Sequence, residues 1–197
     1  MRKLILFASL CLLFLMQAAY GQQLDAAIGF GTLSASSSST LTSDHTPQSI
    51  GGGVFPTISG DVLLKHNLGV QGEVTWRVGK KNFLGDPALP FRPILYDFNG
   101  IYAPRFGRAG AELMAGIGAE SLRFYGTLNC GFAGCTNYTS SSHFMGHFGA
   151  GLRLYATSHV FIRPEVHVYL IHNNVELSSG RAIRYGGSIG YTFGFNQ

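Results

Sequence analysis

Residues 181–195 read Arg-Ala-Ile-Arg-Tyr-Gly-Gly-Ser-Ile-Gly-Tyr-Thr-Phe-Gly-Phe. Ile183, Tyr185, Ile189, Tyr191, Phe193 and Phe195 share one parity, and Arg184, Gly186, Ser188, Gly190, Thr192 and Gly194 share the other. Side chains alternate across a strand, so this stretch is a strand with one apolar, aromatic face and one small or polar face. A soluble sheet could bury the apolar face under a second layer. The crowding of aromatics at the strand's end points instead to a strand that meets a bilayer interface.

The same two-residue period runs back through the chain. Leu24, Ala26, Ile28, Phe30 and Thr32 oppose Asp25, Ala27, Gly29 and Gly31; Val54, Ile58, Val62 and Leu64 oppose Thr57, Ser59 and Asp61. The clearest alternation sets Leu68, Val70, Gly72, Val74, Trp76 and Val78 against Gly69, Gln71, Glu73, Thr75 and Arg77. Further strands carry Ile94 to Tyr102 outward with Asp97 and Asn99 inward, and Ala109 to Ala119 outward with Glu112 and Glu120 inward. Phe144 to Leu154 alternate with His143, His147 and Arg153, and Val160 to Leu170 with Arg163, Glu165, His167 and Tyr169. The parity blurs near Ser121 and Leu122, where a bulge or the rim is expected. The expected total is about eight strands of roughly ten residues, an even number suited to antiparallel closure.

The connections alternate in length. Lys65–Asn67, Pro104–Arg108 and Ala156–His159 are short turns, whereas Ser34–Ser49, Gly79–Pro93, Tyr125–Ser142 and His172–Gly180 are longer loops. The Ser-rich segment from Ser34 to Ser49 has too few apolar residues to offset ordering and is expected to be mobile. A soluble meander has no reason to gather its long loops at one end, whereas outer-membrane barrels have short periplasmic turns and long outer loops. The expected architecture is an all-β, eight-stranded antiparallel up-and-down transmembrane β-barrel.

Composition agrees. Charged residues are 12% of the 197, glycine reaches 27, and the mean hydropathy is +0.17. Many apolar residues without a long apolar run is the pattern of lipid-facing strands. The N-terminus has a basic start at Arg2 and Lys3, an apolar Leu4–Met16 core and the small-residue site Ala19-Tyr20-Gly21. It reads as a cleaved signal peptide over residues 1–21, leaving a barrel domain over 22–197. Without Arg2 and Lys3, twelve basic residues face ten acidic ones; they are scattered, so no nucleic-acid partner is expected. In an exported chain Cys130 and Cys135 are expected to form a disulfide across a short loop. Their spacing also suits half a metal site, but no second pair completes one, so no metal is assigned.

From Ser188 to Phe195 the order is polar, any, Gly, any, any, aromatic, any, aromatic. With Ser188, Gly190, Phe193 and Phe195 it resembles the C-terminal signal by which bacterial outer-membrane barrels are recognised for assembly, although Asn196 and Gln197 follow the last aromatic. In strand number, loop rhythm and this signal, the chain resembles the OmpA-like and opacity-protein group of small outer-membrane barrels. That resemblance implies a bacterial outer-membrane location and a structural or surface-interaction role through the outer loops. The implied partners are outer-membrane lipid, the barrel-assembly machinery during insertion and an extracellular partner at the loops; a monomer is expected.

The candidate site is the inward charge set: Asp61, Glu73, Arg77, Asp97, Glu112, Arg153, Arg163, Glu165 and Arg184, together with Asp25 and Glu120. Lone charges in so narrow a barrel are costly, so they are expected to pair. One outcome is a plug of ion pairs that stiffens the barrel. Another is a low-conductance gated pore in which carboxylates exchange arginine partners. A third class, a lipid-modifying enzyme, would draw on Ser158-His159 or on Ser140–Ser142 with His143, but neither run has a third partner at a telling spacing. His143 and His147 lie roughly 13 Å apart on a strand and cannot share an ion. Gly116-Ile117-Gly118 and Gly149-Ala150-Gly151 precede no helix, so they are strand glycines rather than phosphate loops, and no cofactor is assigned.

Overall fold

The structure, a computed structural model, describes residues 23–36, 48–64, 67–131, 134–173, 176 and 180–193. In chain order the strands are β1 (Gln23–Ala35), β2 (Val54–Leu63), β3 (Leu68–Trp76), β4 (Lys81–Phe83), β5 (Asp86–Tyr102), β6 (Arg105–Phe106), β7 (Ala109–Gly131), β8 (Gly134–Tyr155), β9 (Val160–Ile171) and β10 (Arg181–Phe193). Eight of them close a ring in the order β5-β3-β2-β1-β10-β9-β8-β7, with β7 returning to β5. Every pairing is antiparallel. The short β4 and β6 form hairpins with β5 and β7. The first and last strands seal the barrel, from Leu24 opposite Phe193 to Ala35 opposite Ala182. Closure removes the free edges that an open sheet would expose.

Period-two alternation sorts the two surfaces as expected. The outer face is a belt of exposed apolar side chains, among them Ile28 (65% exposed), Phe98 (74%) and Ile189 (59%). A continuous belt on this scale is far larger than the apolar patches of soluble proteins, and it is the surface a bilayer covers. The inner face carries Asp25, Asp61, Glu73, Asp97, Glu112, Arg153, Arg163, Glu165 and Arg184, all buried. Inward glycines make room for them. A Cβ on Gly118 would lie 2.1 Å from the Tyr96 carbonyl oxygen, and one on Gly190 would lie 2.1 Å from Cζ of Phe161.

Apolar layers close the lumen on both sides of these charges. At the long-loop end Leu33, Ile50, Phe55, Phe91, Leu95, Leu122 and Met145 pack into one cluster. At the short-turn end Leu63, Ile101, Ala103 and Met114 form another.

Three expectations need correction. Residues 79–93 and 125–142 are not simple loops. β4 and β5 form a hairpin turned by Leu84 and Gly85, both with positive φ, and β7 and β8 run on as a long two-stranded ribbon. The ladder passes through Ser121 and Leu122 without a bulge; its irregularity falls between Tyr125 and Asn129. Of the expected mobile segment Ser34–Ser49, both ends belong to the fold. Ser34 and Ala35 are in β1, and Ser49 Oγ donates to the Ala35 carbonyl at 2.8 Å. Residues 37–47 lie outside the described residues, as do the expected signal peptide 1–21 and, of the expected assembly signal, Phe195. Ser188, Gly190 and Phe193 lie in β10.

Candidate functional site: the charged lumen

Three arginines organise the interior. Arg153 on β8 meets Asp25 from β1 and Glu112 from β7, and its Nη2 donates to Asp61 on β2 at 2.7 Å. Arg163 on β9 bridges Glu112 at 2.7 Å, Glu165 at 2.8 Å and Asp61 at 3.4 Å, and it also donates to Ser59 at 3.0 Å and Ser188 at 3.1 Å. Arg184 on β10 donates to Glu73 at 2.6 Å and to the Tyr169 hydroxyl at 3.1 Å, and it contacts Thr57. Each guanidinium is fixed by groups from several strands, so the three tie opposite walls together. Removing one partner from such buried sets leaves an uncompensated charge and costs about 3–5 kcal/mol.

A second line of polar groups crosses the lumen beside Arg184. Gln71 Nε2 donates to Glu112 Oε1 at 3.3 Å, and Asn99 Nδ2 donates to Gln71 Oε1 at 3.0 Å and to Asp97 Oδ1 at 2.5 Å. His147 Nδ1 lies 2.7 Å from Asn99 Oδ1, and its Nε2 lies 2.9 Å from His167 Nδ1. The two imidazoles stack with centroids 5.0 Å apart, and Tyr169 stacks on His147.

Of the expected charge set, Asp61, Glu73, Asp97, Glu112, Arg153, Arg163, Glu165 and Arg184 join this network, as does Asp25. Arg77 does not. It follows the last residue of β3 and lies at the rim beside Gly53, with no lumen carboxylate paired to it among the described residues. Glu120 is buried near the rim, directly opposite His143 in the β7–β8 ladder. Sequence reading missed Tyr169, Gln71, Asn99 and the His147–His167 pair as members of the network. The pair had a signal. The short turn at Ala156–His159 fixes the β8–β9 register, which sets His147 opposite Tyr169 and Gly149 opposite His167.

Among the described residues neither candidate Ser–His run shows the geometry of a relay. Ser141 Oγ lies 3.1 Å from His143 Nε2, but Glu176 lies 2.9 Å from the same nitrogen. A nucleophile and an orienting acid need opposite ring nitrogens. Ser158 Oγ lies 2.9 Å from Nδ1 of His159 at an exposed short turn, where that ring stacks on Tyr191.

At the long-loop end the ribbon and its neighbours carry a basic, aromatic rim. Arg92 on β5 and Arg123 on β7 are direct cross-strand partners on the outer face. Lys80 sits 3.8 Å over the Tyr125 ring, and Arg123 lies 4.9 Å from the Tyr138 ring. Lys81 Nζ donates to the carbonyls of Ser49 and Gly51 at 3.0 and 3.2 Å; burial first, and then the charge of Arg77, lower its pKa from the usual lysine value. Further along the ribbon Cys130 is opposite Cys135, and Cys135 is disulfide-bonded.

The closed ring, apolar belt and charge-filled lumen define a small eight-stranded membrane β-barrel. No protein-family profile matches the chain, and no curated protein sequence matches it. Among solved structures it is similar to Neisserial surface protein A, at 14% identity and TM-score 0.60, over 88% of this chain and 97% of that one. It is also similar to a major outer membrane protein from Thermus thermophilus, at 9% identity and TM-score 0.59, over 88% and 100%. A third is Ail, the attachment invasion locus protein of Yersinia pestis, at 12% identity and TM-score 0.56, over 87% and 98%. At these identities the likeness is one of fold, and that fold is the one expected from the OmpA-like resemblance.

Proposed function

We propose that this chain is an integral protein of the bacterial outer membrane whose barrel is a rigid anchor and whose rim binds anionic surface partners. The supporting observation is the Arg92–Arg123 pair. Like charges directly opposite on neighbouring strands are destabilising, so the pair is best satisfied by an anion between them. The Arg92 guanidinium lies 6.0 Å from the Tyr125 ring, the ring that Lys80 also covers, which gathers a third positive charge at the pair. Lys80 and the Tyr125 and Tyr138 rings extend the surface in a way that suits a sulfated or acidic saccharide. Ail, similar in fold at 14% identity and TM-score 0.56, has been crystallised with the heparin analogue sucrose octasulfate. The role is binding rather than catalysis, since His143 offers one nitrogen to both Ser141 and Glu176.

The test is retention of heparin by the protein in lipid nanodiscs. Wild type should bind in a salt-sensitive way, and the Arg92→Ala/Arg123→Ala double variant, inserted and heat-modifiable as wild type is, should lose most of that binding. Equal binding by the two proteins, or none by wild type, would remove the rim as the functional surface.

A further inference from the structure

The hydrogen bonds across the lumen have a direction. Glu112 can only accept, so Gln71 presents Nε2 to it and turns Oε1 toward Asn99. Asn99 must then present Nδ2 to Gln71 and Asp97, and its Oδ1 faces His147. As a neutral ring, His147 donates from Nδ1, with Asp97 Oδ1 also within 3.2 Å, and accepts at Nε2. His167 donates to it from Nδ1. The remaining nitrogen, Nε2 of His167, turns its lone pair toward Glu165 Oε1, 3.5 Å away.

Two buried acceptors facing each other at 3.5 Å are too close for a bridging water and call for a positive species between them. Nε2 of His167, Oε1 of Glu165 and Oε2 of Glu73 are all buried and make no hydrogen bond. These three side chains can bring ligand atoms within 4.8 Å of one another. A charge-assisted N–H···O bond would draw its atoms to about 2.7–2.9 Å. Two ligands each about 2.0 Å from a tetrahedral ion lie about 3.3 Å apart, close to the 3.5 Å between His167 Nε2 and Glu165 Oε1.

The charge balance agrees. Six carboxyls, Asp25, Asp61, Glu73, Asp97, Glu112 and Glu165, share the network with three guanidiniums, Arg153, Arg163 and Arg184, while His147 lies beside Asp97 and His167 beside Glu165 and Glu73. Arg184 Nη2 lies 2.6 Å from Glu73 Oε1 and 3.4 Å from Glu165 Oε1 and leaves Glu73 Oε2 open, so it flanks the position without filling it. The ligand histidine is also held as metal-binding histidines are, by its second nitrogen donating to a fixed acceptor, here His147.

We propose that the lumen holds one divalent first-row transition ion, of the zinc or manganese class, on Glu73, Glu165 and His167. It enters as the barrel folds, because the apolar layers close both ends afterwards.

The experiment refolds the full chain into detergent with zinc chloride or with EDTA, then removes loose metal by dialysis. Bound metal is read by elemental mass spectrometry, with cobalt refolding as a spectroscopic check. Wild type should carry about one ion per chain, survive EDTA dialysis while folded and unfold at a higher temperature than EDTA-refolded protein. His167→Gln and Glu165→Gln should fall to background and lose the cobalt absorption bands, whereas Asp25→Asn, elsewhere in the lumen, should keep its metal. If the glutamine variants fail to fold, the two wild-type preparations still decide the matter. Wild type refolded in zinc without stoichiometric metal would overturn the proposal, and the counter-charge would then be a proton on His167. Metal retained by folded His167→Gln and Glu165→Gln would place the ion elsewhere and overturn it equally.

Discussion

At the scale of single residues, the lumen is shaped as much by absent side chains as by charged ones. Gly116 and Gly118 on β7 stand opposite Asn99 and Asp97 on β5, and the polar side chains occupy the space the glycines leave. A Cβ on Gly118 would meet the backbone oxygen of Tyr96 at 2.1 Å and Cα of Asp97 at 2.7 Å, so two strands would have to separate. Gly118→Ala should therefore lower stability by about 1–3 kcal/mol, the usual cost of overpacking. Gly60 faces outward with nothing within 4 Å of an added Cβ, and Gly60→Ala should be neutral. Urea unfolding in detergent micelles, followed by the mobility shift of folded barrels, checks both; an equal effect would show that the glycines are not set by packing. Parity alone placed nearly every lumen charge on the correct face. It could not reveal partners, because Arg153 and Asp25 are 128 residues apart and come from strands that are not adjacent in the ring.

At the scale of elements, what was legible depended on solvent. Inside the bilayer one face of each strand meets lipid and the other meets packed side chains, so composition alternates and all eight ring strands were readable. Beyond the belt both faces of the β7–β8 ribbon meet water or the rim, the alternation disappears, and a 23-residue strand reads as a shorter strand and a loop. Arg77 was misplaced for a related reason: its parity is that of the lumen, but the strand has ended before it. The belt itself makes a prediction. Val74 is 43% exposed on the outer face of β3, between Ile58 and Tyr96. Val74→Arg should cost about 2–4 kcal/mol in bilayers, the cost of an arginine on the lipid face near mid-membrane. Ser34→Arg points outward at the end of β1, where water is in reach, and should cost little. Reversible unfolding from large vesicles would compare them, and comparable losses would mean that the belt does not mark the membrane.

At the scale of the whole molecule, the question is whether a closed ring of eight strands leaves a path for ions. Side chains nearly fill a barrel of this size. Here the filling has three layers: an apolar cluster around Phe55, Phe91, Leu95 and Leu122, the arginine–carboxylate network, and a second apolar cluster around Leu63, Ile101 and Met114. A gate made by exchanging carboxylates between Arg153, Arg163 and Arg184 would rearrange only the middle layer. Ions would still face apolar side chains above and below it, and to open all three layers the rings of Phe91 and Phe55 would have to leave sites that are fully buried. Each guanidinium also bridges several strands, so releasing one charges the interior rather than wetting it. Refolded protein in a planar bilayer should therefore show no discrete openings, and Arg163→Ala should reduce folded yield rather than create a conducting state. Reproducible stepwise currents from wild type would require a path past both apolar layers, and the lumen would then have to be understood as a gate instead of a brace.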